Sequence, residues 1–277
     1  MVVETGQQVL GVGYAPACAG MAEVRRFPST GVLRGPVRRH PVRPDFHVVG
    51  VLTGGTGAHE VDFRPADLAA GTVFWLRPGQ VHRIPDTARL RGALVLFTAS
   101  ALAPGTRVAA FADDVARPSQ WQLGPHGTLA DAALRHLELL LAEPSTTDDV
   151  ADALRLALTP LAAAAGLPQE VRANSVFTRF ATAVEAEHTR LHHVREYERL
   201  VHAGSRTIDR AVRQARGVSA KRFLDERIAL EARRRLATSE VTVAALGREL
   251  GFSEATNFVK FYRRLTGTTP AAARAAR

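Results

Sequence analysis

The chain has 277 residues, 46% of them apolar and 23% charged, a balance typical of a globular protein with one or two domains. The first residues, MVVETGQQVLGVG, include Glu4 and no basic residue, unlike a secretory signal. No apolar run reaches the roughly 18 residues of a membrane span. Cys18 is the single cysteine, which excludes an internal disulfide or a cysteine-based zinc site and predicts a reducing, cytoplasmic location.

The net charge of +9 is confined to the last part of the chain. Residues 170–277 contain 21 Lys and Arg against 12 Asp and Glu, whereas residues 1–169 contain 15 of each kind. A neutral front and a basic back indicate two domains with different partners, the basic one suited to a polyanion such as nucleic acid. A solvated, arginine-rich surface is the alternative interpretation of the same charges.

The front region alternates short apolar runs with Gly and Pro breaks. Turns are predicted at GGTG (54–57) and RPGQ (77–80). Four runs predict strands, at 46–52, 59–63, 72–76 and 92–97. Because no helical periodicity interrupts these runs, the pattern favours an antiparallel β-barrel or jelly roll.

Two leucine-rich segments follow, at 129–142 and 148–165, with apolar residues at helical spacing. Pro144 separates them and Gly166 ends the second. They are predicted to be amphipathic helices that pack on the barrel, pair with a second subunit, or both.

The segment 243–270 predicts two short helices joined by a tight turn. Thr242 is the predicted N-cap of the first helix, Gly251 the turn residue, and Ser253 the N-cap of the second helix. On the second helix the aromatic residues share one side, which predicts a buried face. Lys260 and Arg263 lie on the opposite side with Arg264 on its flank, and Arg263 or Arg264 is predicted to grip phosphate.

The segment 205–237 repeats this plan. Gly217 ends its first helix, Ser219 is the predicted cap of the next, and residues 220–237 form a long connecting helix. Two helix-turn-helix units on one connector would set two reading helices about one DNA turn, ~34 Å, apart. A helical hairpin with a solvated basic side is the alternative for either unit.

These residues resemble the DNA-binding domain of the AraC/XylS family of transcription regulators, whose signature appears here as VAALGRELGFSEATNFVKFYRRLTGTTP. The resemblance implies DNA-contacting positions on both reading helices. On the first helix these are Arg206, Asp209, Arg210 and Arg213, and on the second Ala255, Thr256, Asn257, Val259 and Lys260. The first unit departs from the family pattern, with Glu198 in place of a small residue, His202 in place of Gly, and Gly204 in place of Ser.

The run HEVDFRPADLAAGTVFWLRPGQVHR (59–83) resembles the cupin-type effector domain found in many members of that family. A barrel with an apolar interior and a few polar groups is a natural small-molecule site. The predicted effector-binding residues are His47, Trp75, Arg77 and His82. Because His82 is the one dependable ligand and a metal site needs three or four, neither a metal nor a cofactor is expected.

Together, these observations predict an α+β protein with three parts: a cupin-like β-barrel or jelly roll at 1–125, a helical linker and dimerisation segment at 126–170, and an all-α domain with two helix-turn-helix units at 171–277. The predicted function is that of an effector-responsive, dimeric regulator, not an enzyme, that binds promoter double-stranded DNA, and RNA polymerase if it activates. One alternative is a constitutive regulator whose barrel only dimerises, and another is a metal-dependent cupin enzyme with a DNA-binding tail.

Overall fold

The computed structural model describes residues 10–12, 22–27, 41–115, 117–166 and 175–275. The chain forms two compact units, one built from the strands and helices of residues 10–166 and the other from the helices of residues 175–275. The predicted boundary between residues 170 and 171 lies outside the described residues.

The described residues of the first unit form ten short strands. They are β1 (Leu10–Val12), β2 (Ala22–Phe27), β3 (Val42–Pro44), β4 (His47–Gly54), β5 (Gly57–Val61), β6 (Arg64–Leu68), β7 (Thr72–Leu76), β8 (His82–Arg83), β9 (Arg91–Phe97) and β10 (Gln120–Gln122). The four strands predicted from the sequence correspond to β4, β5, β7 and β9, and the run 72–76 coincides with β7. Apolar and β-branched residues fill β4, β7 and β9, as expected for strands buried on both faces, whereas β5 is only partly buried.

The strands form two sheets, in the orders β1-β3-β8-β5-β6 and β10-β7-β4-β9-β2. Within the described residues no strand pairing closes one sheet onto the other, so the first unit is a jelly-roll-like sandwich instead of the closed barrel that was one of the predicted forms. The pairings are antiparallel except for that of β1 with β3. Because successive side chains of a strand point to opposite sides of its sheet, every second residue faces the partner sheet.

Among its described residues the sandwich unit has three α-helices: α1 (Arg107–Asp113), α2 (Gly127–Ala142) and α3 (Thr147–Ala164). Thr146 and Asp149 form a reciprocal capping box at the start of α3. The predicted helices at 129–142 and 148–165 are confirmed, and their buried residues join one face of the β10-β7-β4-β9-β2 sheet in a single core. A second core lies between the two sheets and is centred on Phe74, Leu76 and Leu96.

The second unit is entirely helical within the described residues. Its helices are α4 (Val176–Glu187), α5 (Glu198–Val201), α6 (Ser205–Arg216), α7 (Ala220–Thr238), α8 (Val243–Glu249), α9 (Ala255–Thr266) and α10 (Pro270–Ala275). One core surrounds Phe180, Tyr197 and Ile208, and another surrounds Leu246, Phe258 and Tyr262. The long helix α7 contributes to both cores and so joins the two halves.

Candidate nucleic-acid interface and ligand site

The first helix-turn-helix unit consists of α5 and α6. The N-cap of α6 is Gly204, and Gly217 ends the helix in the left-handed conformation with φ of 71°. Ile208 and Val212 are fully buried on its inner side. The outer side exposes the three arginines that were predicted to contact DNA, Arg206, Arg210 and Arg213.

Asp209, also predicted on this helix, is occupied by contacts within the protein. Its carboxylate accepts a hydrogen bond from Nε of Arg213 at 2.7 Å and another from the backbone N–H of Ala220 at 2.9 Å. These hydrogen bonds lower the pKa of Asp209. Asp209 thus ties α6 to the start of α7 and holds the Arg213 guanidinium in place.

The three departures from the family pattern lie at the start of α5 and in the turn that follows it. His202 adopts the left-handed conformation with φ of 49°, where most family members have glycine by the resemblance noted above. Oε1 of Glu198 accepts hydrogen bonds from the backbone N–H of Ser205 at 2.8 Å and from its hydroxyl at 2.5 Å. The bonds from the hydroxyl and the backbone of Ser205 lower the pKa of Glu198.

The second unit consists of α8 and α9. The hydroxyl of Thr242 accepts a hydrogen bond from the backbone N–H of Ala245 at 3.1 Å, which confirms the predicted cap. The N-cap of α9 is Glu254, without a side-chain capping bond, so the prediction of Ser253 as this cap is wrong. The helix starts one residue later because Glu254 is the last residue with extended backbone angles.

The predicted DNA-contacting side of α9 lies on the surface. Val259 is half-buried, while its other predicted positions are exposed, namely Ala255, Thr256, Asn257, Lys260 and Arg263. The opposite side is anchored by Phe258 and Tyr262, which are buried. The amphipathic pattern read from the sequence therefore describes α9 correctly.

The neighbouring Arg264 points back towards the connector helix. Its Nη2 donates to Asp225 of α7 at 3.1 Å, and its guanidinium lies 5.7 Å from the ring centre of Phe261. Lys221 also donates to Asp225, whose side chain is 8% exposed. Arg264 thus links the second reading helix to α7.

A cluster of ion pairs fixes α7 against α4 and α8. The guanidinium of Arg227 donates two hydrogen bonds of 2.7 Å to Glu185 of α4 and one of 3.3 Å to Glu231. Arg235 joins Glu231 and Glu249, each at 3.0 Å. The side chains of Arg227 and Glu231 are only 13% and 6% exposed, so this part of the cluster is shielded from solvent.

The four predicted effector residues are not brought into one pocket. His47 and Trp75 lie on the helix-facing side of their sheet, where Nε1 of Trp75 donates to Nδ1 of His47 at 3.2 Å and the imidazole stacks on Phe97 at 4.8 Å. Arg77 follows β7 and is half-buried near His47. His82 belongs to the other sheet, where its Nδ1 lies 3.4 Å from Nε2 of His59.

Burial keeps these histidines neutral. Burial, with the charge of Arg117 as the next cause, lowers the pKa of His47 to about 3. Burial likewise lowers the pKa of His59 to about 3 and that of His82 to about 4. Arg117, which the sequence reading did not identify, is buried with its Nη1 donating to the Trp75 carbonyl at 2.8 Å and its guanidinium 5.0 Å from the indole ring centre.

A cavity of about 270 Å³ lies elsewhere, between the helix-facing sheet and the start of α2. Its walls are mainly apolar, with Val51, Ala93 and Leu134 among them, and its polar side chains include Arg26 and Asp131. Arg26 donates two hydrogen bonds to Glu138 of α2, which raises the pKa of the arginine. No sequence signal marked this cavity, because it arises where a strand end meets a distant helix.

The described part of the chain has neither a cluster of metal-ligating side chains nor a helix suited to a membrane. The described residues contain no group of three or more His, Cys, Asp and Glu that could hold a metal ion. None of the helices formed by those residues has the length and apolar character needed to cross a membrane.

Comparison with known proteins identifies two regions. A model of the AraC-like ligand binding domain matches residues 34–177, more than half of the chain, and a helix-turn-helix domain model matches residues 197–276. The HTH-type transcriptional activator RhaS of Shigella flexneri is 24% identical over 288 residues, covering 94% of either chain. RhaS of Escherichia coli O1:K1 is 23% identical, covering 82% of this chain and 84% of its own.

Two solved structures superpose on the chain with TM-scores below 0.5. The DNA-binding domain of AdpA in complex with a target DNA is 29% identical, covers 36% of this chain and 90% of its own, and has a TM-score of 0.34. ToxT from Vibrio cholerae is 7% identical, covers 92% of this chain and 97% of its own, and has a TM-score of 0.46.

Proposed function

The chain belongs to the AraC family of DNA-binding transcription regulators, and we propose that it reads one promoter site with both α6 and α9 under the control of a small-molecule effector. The observation that carries this proposal is the pair of similar helix-turn-helix units joined by the 19-residue α7. A helix of that length spans about 28 Å. This length suits two reading helices that enter the major groove one turn of DNA, ~34 Å, apart.

We assign the DNA contacts to the exposed side chains of both helices. Arg206, Arg210 and Lys260 are suited to base edges and Arg213 and Arg263 to phosphates, because guanidinium and ammonium groups serve both purposes. Thr256 and Asn257, near the amino end of α9, add hydrogen-bonding groups for base edges. We propose that Asp209 acts indirectly, by orienting Arg213.

We place the effector site at the cavity beside α2. The core between the two sheets is tightly packed at Gly50, since a methyl group there would lie 2.1 Å from the Phe74 ring. The cavity has apolar walls and a charged rim, a combination that suits a small, mostly apolar molecule with one polar end. His47 and Trp75 then support the sheet from the neighbouring core.

We propose that the protein acts in the cytoplasm as a homodimer, as a regulator and not as an enzyme. Leu129 and Leu139 of α2 and Leu156 of α3 are between 49% and 63% exposed, although their helices are otherwise packed on the sheet. Such exposed leucines favour a contact with a second subunit. If the protein activates transcription, RNA polymerase is a further partner.

The first experiment is selection of bound fragments from random DNA at near-physiological salt. We expect one motif with two conserved blocks whose centres are about 10 base pairs apart. A single block would contradict base reading by one of the two units. Binding without enrichment, which collapses as the salt concentration rises, would contradict the proposal because it reflects nonspecific attraction.

The assigned residues are tested on the selected site. Arg210→Ala and Lys260→Ala should each weaken binding about 5- to 100-fold, the range expected for loss of a base contact. Arg190→Ala is the matched control, because Arg190 lies outside both reading helices and its side chain is 79% exposed. Equal affinity for the three variants would overturn the assignment.

The cavity is tested by filling it. Gly127 lines the cavity, and no atom lies within 4 Å of a Cβ built on it, so Gly127→Leu should fold and occlude the site. Gly127→Ala is the control of smaller volume. If a metabolite extract changes the DNA affinity of the wild type, Gly127→Leu should abolish this response and Gly127→Ala should retain it. If Gly127→Leu responds to the extract as the wild type does, the effector site lies elsewhere. If the DNA affinity of the wild type does not respond, a constitutive regulator is favoured.

A further inference from the structure

The amino end of α6 is capped by a residue that lies outside the helix. An N-cap side chain normally accepts a hydrogen bond from the backbone N–H two or three residues later. Gly204 has no side chain to do this. Instead, Glu198 at the start of α5 accepts bonds from both the backbone N–H and the hydroxyl of Ser205. Two of the departures from the family pattern, Glu198 and Gly204, therefore compensate each other.

The corresponding position of the second unit explains why a small residue usually stands there. Gly247 lies four residues before the left-handed Gly251, as Glu198 lies four residues before the left-handed His202. A Cβ on Gly247 would be 3.1 Å from Cβ of Phe258, so that unit tolerates no larger residue without a shift. Ile208 and Phe258 each lie four residues after the N-cap of their helix. Because isoleucine is smaller than phenylalanine, the first unit accommodates a glutamate at position 198.

We infer that Glu198 is a positioning residue that orders the first turn of α6 and whose negative charge weakens the grip of the first unit on DNA phosphate. This inference rests on the proposed function, in which α6 reads DNA. Arg206 stands on the turn that Glu198 holds, one residue after Ser205. A free helix N-terminus attracts phosphate through its N–H groups and its dipole, and here a carboxylate already occupies that end.

The two effects are separable by substitution. Glu198→Gln keeps an oxygen that can accept from Ser205 and removes the charge. Glu198→Ala removes both, and Glu198→Ala/Gly204→Ser replaces the missing cap with an ordinary one. Asp67→Asn is the control for net charge, since Asp67 is an exposed residue on β6 of the other unit. Thermal unfolding of each variant establishes that it is folded.

The measurement is the affinity of each full-length variant for the selected DNA site, by fluorescence anisotropy, over a range of salt concentrations. Glu198→Gln should bind about 2- to 5-fold more tightly than the wild type, and the gain should shrink as salt screens the charge. Glu198→Ala should bind about 5-fold more weakly than Glu198→Gln, because both are neutral but only the glutamine keeps the cap. Gly204→Ser should restore that loss, and Asp67→Asn should leave the affinity unchanged.

Several results would overturn the inference. If Glu198→Gln binds the DNA no more tightly than the wild type, the charge effect is excluded. If Asp67→Asn gains the same affinity as Glu198→Gln, the gain reflects the net charge of the protein and not the position of Glu198. Equal binding by Glu198→Ala and Glu198→Gln, or no rescue by Gly204→Ser, would exclude the positioning role. Failure of the wild type to select any motif would instead refute the proposed function, before the variants are compared.

Discussion

The two compact units bury polar groups in different ways. The sandwich buries the neutral imidazoles of His47, His59 and His82 besides the Arg117 guanidinium, whereas the helical unit buries the His188 imidazole and charges that are paired with one another, such as Glu231 and Arg234. Adding a proton to a buried neutral imidazole is costly, and so is removing one partner of a buried ion pair, because either change leaves an uncompensated charge in the core. Acid should therefore destabilise the first unit most, and the loss of one charged side chain should destabilise the second unit most.

The largest expected effect is acid destabilisation of the sandwich unit. His47, His59 and His82 have folded pKa values of about 3, 3 and 4 against an ordinary value of 6.5. Below pH 6.5 the unfolded chain therefore binds protons that the folded chain does not. The contribution of these histidines to the free energy of unfolding should be constant above that pH and fall below it by up to about 1.4 kcal/mol per pH unit for each histidine.

Urea unfolding between pH 7 and 5, followed by tryptophan fluorescence, measures this loss, since Trp75 and Trp121 both belong to the sandwich unit. His59→Gln is the matched variant, because it removes one titrating group at a buried position. Its stability should fall less steeply with decreasing pH. An identical slope for the variant and the wild type would show that His59 does not contribute.

The next effect should be confined to the helical unit. Arg227→Ala removes the 3.3 Å bond to the buried Glu231, which keeps Arg235 at 3.0 Å, and breaks the two bonds to Glu185. Because Glu185 is 39% exposed, we expect a loss of about 3 kcal/mol, the lower end for a broken buried pair. Hydrogen exchange of α4 and α7 should accelerate accordingly.

Arg222→Ala is the control on the same helix. Arg222 pairs with Glu226 at the same i,i+4 spacing, but their side chains are 55% and 41% exposed. Exposed pairs contribute little to stability, so exchange should hardly change. Equal effects of the two substitutions would mean that burial does not strengthen the Arg227 cluster.

A smaller effect separates two glycines of the second helix-turn-helix unit. Gly251 and Gly267 have φ of 81° and 79°, so alanine at either costs about 1–2 kcal/mol in backbone strain. A Cβ on Gly251 would also lie 2.5 Å from the Thr189 carbonyl oxygen, whereas one on Gly267 would meet no atom within 4 Å. Gly251→Ala should therefore lower the midpoint of thermal unfolding more than Gly267→Ala, and an equal decrease would exclude the steric contribution.

Local patterns predicted the parts of this fold that local forces determine. The strand at 72–76, the caps Thr242 and Ser219, and the buried side of α9 follow from residue type and periodicity, and the structure confirms them. The alternation of side chains along β4 and β7 also predicts that His47 and Trp75 lie on the opposite side of the sheet from Phe74. The prediction of the effector-binding residues did not take this alternation into account.

The rest depends on contacts between distant segments. Open sheets and a closed barrel have the same alternating pattern, so strand runs alone do not distinguish them. The cavity beside α2 and the burial of Arg117 under Trp75 require strands and helices to meet across more than 40 residues. The bond between Glu198 and Ser205 joins two residues only seven positions apart, but predicting it requires the geometry of the turn.

The smallest effect tests the turns of the two helix-turn-helix units against each other. His202 holds the left-handed position that Gly251 holds in the second unit, and a side chain there is strained. His202→Gly should relieve that strain, although the added freedom of the unfolded chain offsets part of the gain, so we expect a net stabilisation of about 0.5 kcal/mol. The midpoint of thermal unfolding, followed by far-ultraviolet circular dichroism, should rise slightly. A decrease would show that the imidazole makes a stabilising contact that outweighs the strain, and the first turn would then be adapted to histidine.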